Sequence, residues 1–461
     1  RLNSSAASDV YKRQVFGLNL NDIPDTAQHQ ARRCLLDLVG VLIAGRTTPL
    51  SRIINDHAHR YFHSPDRNGT LLGDGRSASA PGIALAGGMT IDSIDAHDGM
   101  KNAKGHAGCG VFPALVALLE TTGRPYDDAD FLTALIMGYE ISIRDALALH
   151  DSADDYHTSG AWVAVGIAAM AARVRGQTEN QLFEGMGIAE YHGPRSQMMR
   201  TIDHPTMVKD GSGWGAMAGV SAALLAEDGF TGAPAVTVTD PALAPFWSNL
   251  GQEWHIVNQY IKPWPVCRWA QPAVTATMMV MHNNKINHET IEKITVHSFH
   301  QAVRLATAIP RNTEEAQYSL PWPVAAAAVR GQLAVAEISE PFDDERIMEL
   351  AQSMELLEDD RHNAAFPGER IGRVSITTKS GEVFQSDDMR ATWDPEAPPS
   401  DDEMIEKYHQ LADPVIGQER ATRIRAMIAA IGEDGGQNGG RHSVKGGMAQ
   451  QLITELGKPF L

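Results

Sequence analysis

Apolar residues recur at helical spacing along most of the first half of the chain. Between Pro24 and Gly45 they stand at positions 34, 35, 38, 39 and 42, which predicts an amphipathic helix that begins near the proline and ends before the glycine. Comparable patterns, separated by Gly, Pro and Asp, predict further helices at residues 83–94, 111–120, 131–149, 160–174, 181–191 and 213–227. We therefore predict a large all-helical domain over residues 15–260.

The pattern changes after residue 260. Two prolines, at 263 and 265, interrupt helix formation, and apolar alternation predicts strands at 294–299 and 371–378. The second strand turns at 379–382 into a third at 383–385. Helical periodicity returns after residue 400. The predicted fold class is therefore mainly α: a smaller α+β domain at 261–398 is inserted before C-terminal helices at 399–461, which rejoin the helical domain and contain a Gly-rich linker near 432–447.

The chain is acidic. It contains 39 Lys and Arg residues against 57 Asp and Glu residues, a formal net charge of −18. Such a surface repels nucleic acid and anionic membranes, so the charge argues against both as partners, and an anionic substrate must bind in a locally basic pocket. The three cysteines lie far apart without C-x-x-C spacing. This argues against disulfides, iron–sulfur clusters and structural zinc, and favours a reducing, cytoplasmic location.

The first 14 residues lack an initiator Met and resemble translated sequencing-adapter sequence. We expect residues 1–14 to be non-native and leave them out of the fold prediction. No apolar run in the sequence reaches the length of a membrane helix, and no signal peptide is visible at the start. We therefore expect a soluble protein.

Four segments concentrate ionisable residues among small or apolar ones: 94–109, 156–160, 207–213 and 262–268. Each lies where a loop meets the predicted start or end of a helix, which is the usual position of a functional site on a rigid scaffold. Helices that start after the glycines of the second and third segments would also direct free N–H groups at carboxylate oxygens. We therefore expect the four segments to converge on one carboxylate-binding pocket.

These segments contain the groups that proton abstraction next to a carboxylate requires. The reaction needs a base, an acid for a leaving group, and cations that stabilise the developing dianion. The candidates for proton transfer are Asp95, His106 and His157, and the candidates for positive charge are Lys104, Lys209, Lys262 and Arg268. The neighbouring Trp214, Trp264 and Trp269 would keep the pocket dry, which strengthens the attraction of an anion. A lysine near other cations could itself act as a neutral base.

A metal centre of the phosphohydrolase type is an alternative interpretation of His97 and Asp98. That site needs further histidines upstream on a helix, and none precedes His97 with suitable spacing. We therefore expect no metal at this position.

The charged segments resemble those of one enzyme family. The elements that carry the resemblance are Asp-x-x-Asp and Gly-His-x-Gly in 94–109, Tyr-His-Thr at 156–158, the stretch from Lys-Asp-Gly to Gly-Phe-Thr-Gly at 209–232, and Lys-Pro-Trp-Pro-x-Cys-Arg-Trp at 262–269. In these elements the chain resembles the MmgE/PrpD family. The resemblance covers residues 15 to about 432. It implies a helical domain with an α+β lid, a homodimer, no cofactor, and a small di- or tricarboxylate substrate bound between domain and lid.

The resemblance also implies an active-site set. The family's Asp, two His and two Lys would fall on Asp95, His106, His157, Lys209 and Lys262, and Tyr318 would add a hydrogen-bond donor. We add Lys104, Arg268, Asp98 and Cys267 as substrate-binding residues of the pocket. The sequence departs from better-characterised members beside this pocket, with His97 in the usual Asp-x-Asp-Asp element, Asp210 after the first site lysine, and Gln271 where many members have His.

The expected reaction is an E1cB-like dehydration of a 2-methylcitrate-like hydroxy acid. One of His157, Asp95 or a neutral lysine would remove the proton, and His106 would protonate the departing hydroxyl. The same carbanion could instead be reprotonated on the opposite face, as in an epimerase, or arise by loss of carbon dioxide, as in a decarboxylase. A non-catalytic carboxylate-binding protein is a third class of interpretation.

Overall fold

The structure is a computed structural model that describes residue 12 and residues 14–433 and 447–461. The predicted adapter-derived segment lies outside the described residues except at positions 12 and 14, and the predicted Gly-rich linker does so over 434–446. The described chain is mostly helical with two small sheets, which confirms the helical character predicted from the sequence.

Helices dominate residues 25–239. They are α1 (Asp25–Gly45), α2 (Pro49–Tyr61), α3 (Ala80–Asp92), α4 (Gly108–Thr122), α5 (Asp128–Ser152), α6 (Gly160–Arg175), α7 (Glu179–His192), α8 (Met198–Asp203), α9 (Ser212–Glu227) and α10 (Val236–Thr239). Each of the seven helices predicted here is present. Helix α2, the short helices α8 and α10, and the short antiparallel pair β1 (Asn68–Thr70) and β2 (Ser77–Ser79) were not predicted.

The core lies around α6. This helix is apolar on all sides and is buried from Gly160 to Ala172, as expected of a helix without a polar face. Helices α5, α7 and α9 pack against it, and α9 also packs against α3. Glycines permit the closest approach, because a Cβ on Gly88 of α3 would lie 2.6 Å from the Cα of Gly213 in α9. This contact brings the start of α9 to the end of α3.

The later part of the chain contains the larger sheet and further helices. Its strands are β3 (Ile291–Ser298), β4 (Glu355–Glu358), β5 (Ile371–Thr378), β6 (Val383–Gln385) and β7 (Met389–Arg390), and its helices are α11 (Gln271–Asn284), α12 (His300–Val303), α13 (Thr313–Gln317), α14 (Pro321–Arg330), α15 (Glu345–Ser353), α16 (Asp360–Ala365), α17 (Asp401–Ile416), α18 (Gln418–Ala430) and α19 (Met448–Leu456). Short 3₁₀ helices occupy Leu20–Asp22, Pro241–Phe246, His255–Asn258, His288–Thr290 and Val335–Ile338.

The larger sheet has the strand order β4-β3-β5-β6, with β7 also paired to β5. Strand β3 is antiparallel to β5 and parallel to β4. Every second residue of β5 is buried, because α11 covers one face of the sheet and approaches most closely at Gly372. The predicted strands and the turn between β5 and β6 are confirmed, whereas β4 was not predicted.

A buried ion pair joins the C-terminal helices to the first part of the chain. Lys407 of α17 donates to the carboxylate of Asp37 in α1 and, at 2.8 Å, to the carbonyl oxygen of Ala96. Helix α17 thereby supports the loop that follows α3, which is the loop richest in candidate site residues. No single helix in the described ranges is long and apolar enough to cross a membrane; α1 and α2 meet that criterion only together, across a 92° bend.

The approach of α3 to α9 gives a first prediction. Gly88→Ala should lower the free energy of unfolding by about 1–3 kcal/mol through overpacking against the α9 backbone, although alanine is the better helix former. The matched control is Gly185→Ala in α7, where the added Cβ would meet its nearest atom at an ordinary 3.6 Å and should be neutral or stabilising. Urea unfolding of both variants is the measurement, and equal stability of the two would contradict the packing argument.

Candidate active site

One narrow cavity gathers most of the predicted site residues. Seven of the ten line it: Asp95, Lys104, His106, Lys262, Cys267, Arg268 and Tyr318. Its volume is only about 20 Å³, which is room for a water molecule rather than a carboxylic acid. A ligand must therefore displace side chains at the rim, such as the half-buried Lys104.

A buried ion pair between Asp95 and Lys262 lies at the centre of this site. The Lys262 ammonium is fully buried and donates to Asp95 Oδ1 at 2.6 Å and to the Asp95 carbonyl oxygen at 3.0 Å. Burial alone would lower the pKa of Lys262, but the attraction of Asp95 outweighs it and the pKa lies above its ordinary value. The lysine is therefore a fixed cation and not a neutral base.

Three predicted site residues have a strained backbone. Asp95, Lys104 and Lys209 have φ values of 46°, 57° and 51°, in the left-handed region that non-glycine residues rarely adopt. Among the described non-glycine residues only Lys285 and Trp393 share this property. Such strain amounts to about 1–3 kcal/mol per residue and clusters at functional sites. Its concentration here supports a functional role for these loops.

His106 is held in one tautomer. Its Nδ1 lies 2.6 Å from the carbonyl oxygen of Asp98, which can only accept a hydrogen bond, so Nδ1 carries the proton and Nε2 is free to accept one. Its backbone N–H donates to Ser159 Oγ at 2.9 Å. Burial, followed by the positive charges of Lys262 and His97, holds the pKa of His106 well below 6.5. At neutral pH the imidazole is therefore uncharged, with Nε2 as its proton acceptor.

Asp210 lines the same cavity beside His106, although the sequence analysis assigned it no role. Ser159 Oγ donates to its Oδ2, and its backbone N–H donates to Asp92 Oδ2 at 3.3 Å. Its Oδ1 is buried and has no hydrogen-bond partner among the described residues. Burial and then the charge of Asp92 raise the pKa of Asp210 to about 8. This carboxyl group is therefore a proton donor at neutral pH.

Lys209 is buried next to the cavity without lining it. Its ammonium donates to Gln317 Oε1 and lies 4.6 Å from the ring centroid of Tyr318. Burial opposes ionisation of Asp92, but His97, Lys209 and Lys262 together hold the pKa of Asp92 below its ordinary value. Lys209 and Lys262 are thus buried in one region, around the same acidic residues.

Besides Lys209, two further predicted site residues do not line the cavity. His157 is 8% exposed and lies next to His150, whose Nε2 accepts its backbone N–H at 3.2 Å. Asp98 is fully buried on the interior side of its loop. Burial and then the charge of Asp37 raise the pKa of Asp98 to about 7. The carbonyl of Asp98, rather than its carboxyl group, acts on the site by orienting His106.

Arg268 and Trp214 differ from their predicted roles. Arg268 does line the cavity, but it donates to Asp394 at 2.6 Å and to Gln271 Oε1 at 2.7 Å. A protein carboxylate therefore already neutralises this guanidinium. The prediction that Trp214 keeps the pocket dry is wrong, because it projects from α9 and is 44% exposed. Trp269, at 3% exposure, does line the cavity.

The cavity also contains residues that the sequence analysis missed, namely Tyr156, Met198, Tyr260 and Arg370 in addition to Asp210. Asp210 belongs to a segment that was already singled out, so its position next to Lys209 was an available signal. Arg370 directly precedes the predicted strand 371–378, outside every charged segment, and nothing in the local sequence distinguishes it from a surface arginine.

One set of potential metal ligands occurs among the described residues. A ligand atom from each of Asp92, Asp95 and His97 lies within 4.8 Å of the other two. His97 Nε2 is 3.3 Å from Asp92 Oδ1, and the Lys262 ammonium occupies one side of Asp95. These carboxylates therefore already have cationic or proton-donating partners within the chain.

The comparisons with known proteins define the class to which this fold and site belong. The chain matches the MmgE/PrpD N-terminal domain over residues 12–249 and the MmgE/PrpD C-terminal domain over residues 264–433. The protein is a member of the MmgE/PrpD family, as the resemblance of its charged segments had indicated.

Similar proteins with a stated activity are distant in sequence but match almost end to end. The cis-aconitate decarboxylase-like protein oryM of Aspergillus oryzae is 22% identical, over 90% of this chain and 92% of its own length. The human cis-aconitate decarboxylase is 23% identical over 91% of each chain, and the mouse enzyme is 22% identical over 92% of this chain and 91% of its own. The human and mouse relatives are carboxy-lyases by name, which supports a lyase.

The ion pair at the centre of the site gives a second prediction. If the Lys262 cation stabilises an anion formed in the reaction, Lys262→Met should lower kcat/KM by about 100- to 1,000-fold. It should also lower the free energy of unfolding by roughly 3–5 kcal/mol, because Asp95 remains buried without the ammonium that lies 2.6 Å from its carboxylate. The double variant Asp95→Asn/Lys262→Met should recover much of the stability and none of the activity.

The matched control removes another buried pair, in the double variant Glu140→Gln/Arg144→Met. That pair does not line the cavity, and its hydrogen bonds go to residues 246–256 rather than to the site loop, so turnover should change little while stability responds. Unfolding curves and steady-state kinetics on all variants separate the two effects. Recovery of activity together with stability in the double variant at 95 and 262 would remove this pair from the mechanism.

Proposed function

We propose that the protein is a cofactor-independent lyase that acts on a small di- or tricarboxylate through a carbanion next to a carboxylate. The observation that carries this proposal is the presence, in one cavity, of a free imidazole nitrogen on His106, a protonated acid on Asp210 and the fixed cation of Lys262. A base, an acid and an anion-stabilising group together are what such an elimination requires.

Dehydration of a hydroxy acid of the 2-methylcitrate type uses all of these groups. Nε2 of His106 takes a proton from the carbon next to a substrate carboxylate, and the electron pair moves onto that carboxylate. Lys262 and Lys104 stabilise the resulting dianion. The electron pair then forms the carbon–carbon double bond as hydroxide leaves, and Asp210 protonates it to water.

This assignment exchanges two roles given in the sequence analysis. His106 was expected to be the acid, but its Nδ1 proton is committed to the Asp98 carbonyl and its pKa is low. Asp95 was one of the possible bases, but its carboxylate accepts from the Lys262 ammonium. We therefore assign the base to His106 and the acid to Asp210, with Asp95 positioning Lys262.

Decarboxylation of a cis-aconitate-like substrate is the second candidate, favoured by the stated activity of the three relatives. There the carbanion arises by loss of carbon dioxide, and Asp210 delivers a proton to carbon, so no base is needed. The presence of a free base beside the acid favours dehydration. In either reaction, we propose that the part of the chain that carries Arg268, Tyr318 and Arg370 acts as a lid over the residues of the helical part.

Proton NMR in deuterated buffer with 2-methylcitrate, citrate, cis-aconitate and iminodisuccinate tests the proposal. We expect a new vinyl or methyl signal and release of water from a hydroxy acid. Loss of carbon dioxide would identify a decarboxylase, and exchange of a carbon-bound proton without elimination would identify an epimerase. Binding without turnover would identify a carboxylate-binding protein, and neither binding nor turnover of any of these acids would contradict the proposal.

The role of Asp210 predicts how the reaction depends on pH. Because the acid must be protonated and its pKa is about 8, kcat/KM should fall as the pH rises above that value. Asp210→Asn, which cannot release a proton, should lose most activity and the alkaline limb of the profile. The control is Asp228→Asn at the exposed end of α9, which should keep the wild-type profile; loss of the limb in both variants would contradict the assignment.

The same pKa predicts an effect on stability. The carboxyl group has a pKa of 3.8 when it is unperturbed and about 8 in the fold, so the folded state binds the proton more tightly. The contribution of Asp210 to stability is then complete below pH 3.8 and is lost as the pH rises to about 8. Asp210→Asn should become increasingly more stable than the wild type over this range, as measured by urea unfolding at pH 5 and pH 8.

A further inference from the structure

We propose that Arg370 binds one carboxylate of the substrate and provides the preference for ligands with three carboxylates over ligands with two. The proposal rests on the proposed function for the class of ligand, and on the contacts of Arg370 for the site. Arg370 belongs to none of the charged segments of the sequence and directly precedes β5.

The guanidinium of Arg370 is buried and unpaired. The residue is 5% exposed and lines the cavity. Its Nε and Nη1 are buried without a hydrogen-bond partner, and no ion pair joins it to any residue that the structure describes. The guanidinium lies over the ring of Tyr260, with Cζ 5.8 Å from the ring centroid. A buried cation without a partner is unfavourable unless an anion completes the site.

The other buried cations of the cavity do not share this property. Lys262 is paired with Asp95, and Arg268 is paired with Asp394. The arginines nearest to Arg370 in sequence are paired as well: Arg361 and Arg373 with Asp359, and Arg390 with Glu369. Glu369, the acidic residue adjacent to Arg370, is therefore already paired with Arg390. Arg370 is therefore the position at which the described site lacks a negative charge.

A carboxylate is the anion that fits this position. The planar guanidinium matches the two oxygens of a carboxylate with two parallel hydrogen bonds, which an ammonium group cannot reproduce. The Tyr260 ring lies against two guanidinium groups, with the Cζ of Arg268 4.4 Å from its centroid. Burial is the main cause of the lowered pKa values of Arg268 and His106, and the positive charge of Arg370 adds to this effect. A ligand carboxylate at Arg370 would relieve this crowding of positive charge.

The test measures binding rather than turnover. Calorimetry with the unreactive ligands tricarballylate and succinate compares the wild type, Arg370→Gln and Arg370→Lys. Loss of the charged hydrogen bonds should weaken tricarballylate binding by about 10- to 100-fold in Arg370→Gln, with a smaller loss in Arg370→Lys and little loss for succinate. Arg373→Gln, which removes a paired arginine of β5, is the control and should bind both ligands as the wild type does.

Two further readouts separate a binding role from a structural one. Without ligand, Arg370→Gln should be at least as stable to urea as the wild type, because it removes an uncompensated buried charge. Guanidinium ion at millimolar concentration should restore tricarballylate binding to Arg370→Gly. Unchanged affinity in Arg370→Gln, an equal loss in Arg373→Gln, or no restoration by guanidinium would overturn the proposal.

Because tricarballylate does not react, its measured affinity does not depend on which reaction the protein catalyses. Turnover in the NMR assay with unaltered binding by the Arg370 variants would refute the role of Arg370 alone. Absence of turnover with Arg370-dependent binding would refute the lyase and leave the carboxylate site in place.

Discussion

The pairing of the buried Lys262 ammonium with Asp95 is the interaction on which the rest of the site depends. A lysine in the protein interior would ordinarily lose its proton, and a carboxylate there would ordinarily gain one. Held 2.6 Å apart, each group stabilises the charge of the other. The pair thereby keeps the Lys262 ammonium protonated next to the cavity, in a protein whose overall charge is strongly negative, and a protonated donor of this kind can stabilise an anionic intermediate.

The helical scaffold makes this arrangement possible because it brings loop segments together at helix ends. The approach of α3 to α9 at Gly88 and Gly213 sets the end of one helix against the start of the other. Asp92, the last residue of α3, then accepts the backbone N–H of Asp210, just before α9. Ser159, just before α6, joins Asp210 to the backbone of His106. The strained backbone at Asp95, Lys104 and Lys209 has its own support, because the carbonyl oxygens of these residues accept hydrogen bonds from Lys262, Tyr156 and Thr201, respectively.

The sequence predicted the parts of the molecule that follow from local periodicity and from charge in unusual surroundings. The helices of the first half and strands β3 and β5 are apolar with a clear period, so their positions could be predicted. Lys262 and Asp95 could be proposed as site residues because charged residues within apolar segments often have a functional role. Arg370 could not be found in this way, since its burial and its lack of a partner arise only from tertiary packing. The same holds for the exposure of Trp214 and for the absence of His157 from the cavity lining, which no spacing along the chain reveals.

The central claim is that the cavity stabilises negative charge on carbon next to a carboxylate, and a nitronate tests it most directly. The nitronate of 3-nitropropionate resembles the carbanion of a dicarboxylate, whereas succinate resembles only its ground state. An enzyme that stabilises such a carbanion binds the analogue about 100-fold or more tightly than the ground-state ligand. The account predicts at least that ratio of dissociation constants, measured by calorimetry at a pH where the nitronate persists. Equal affinity for the nitronate and succinate would contradict it.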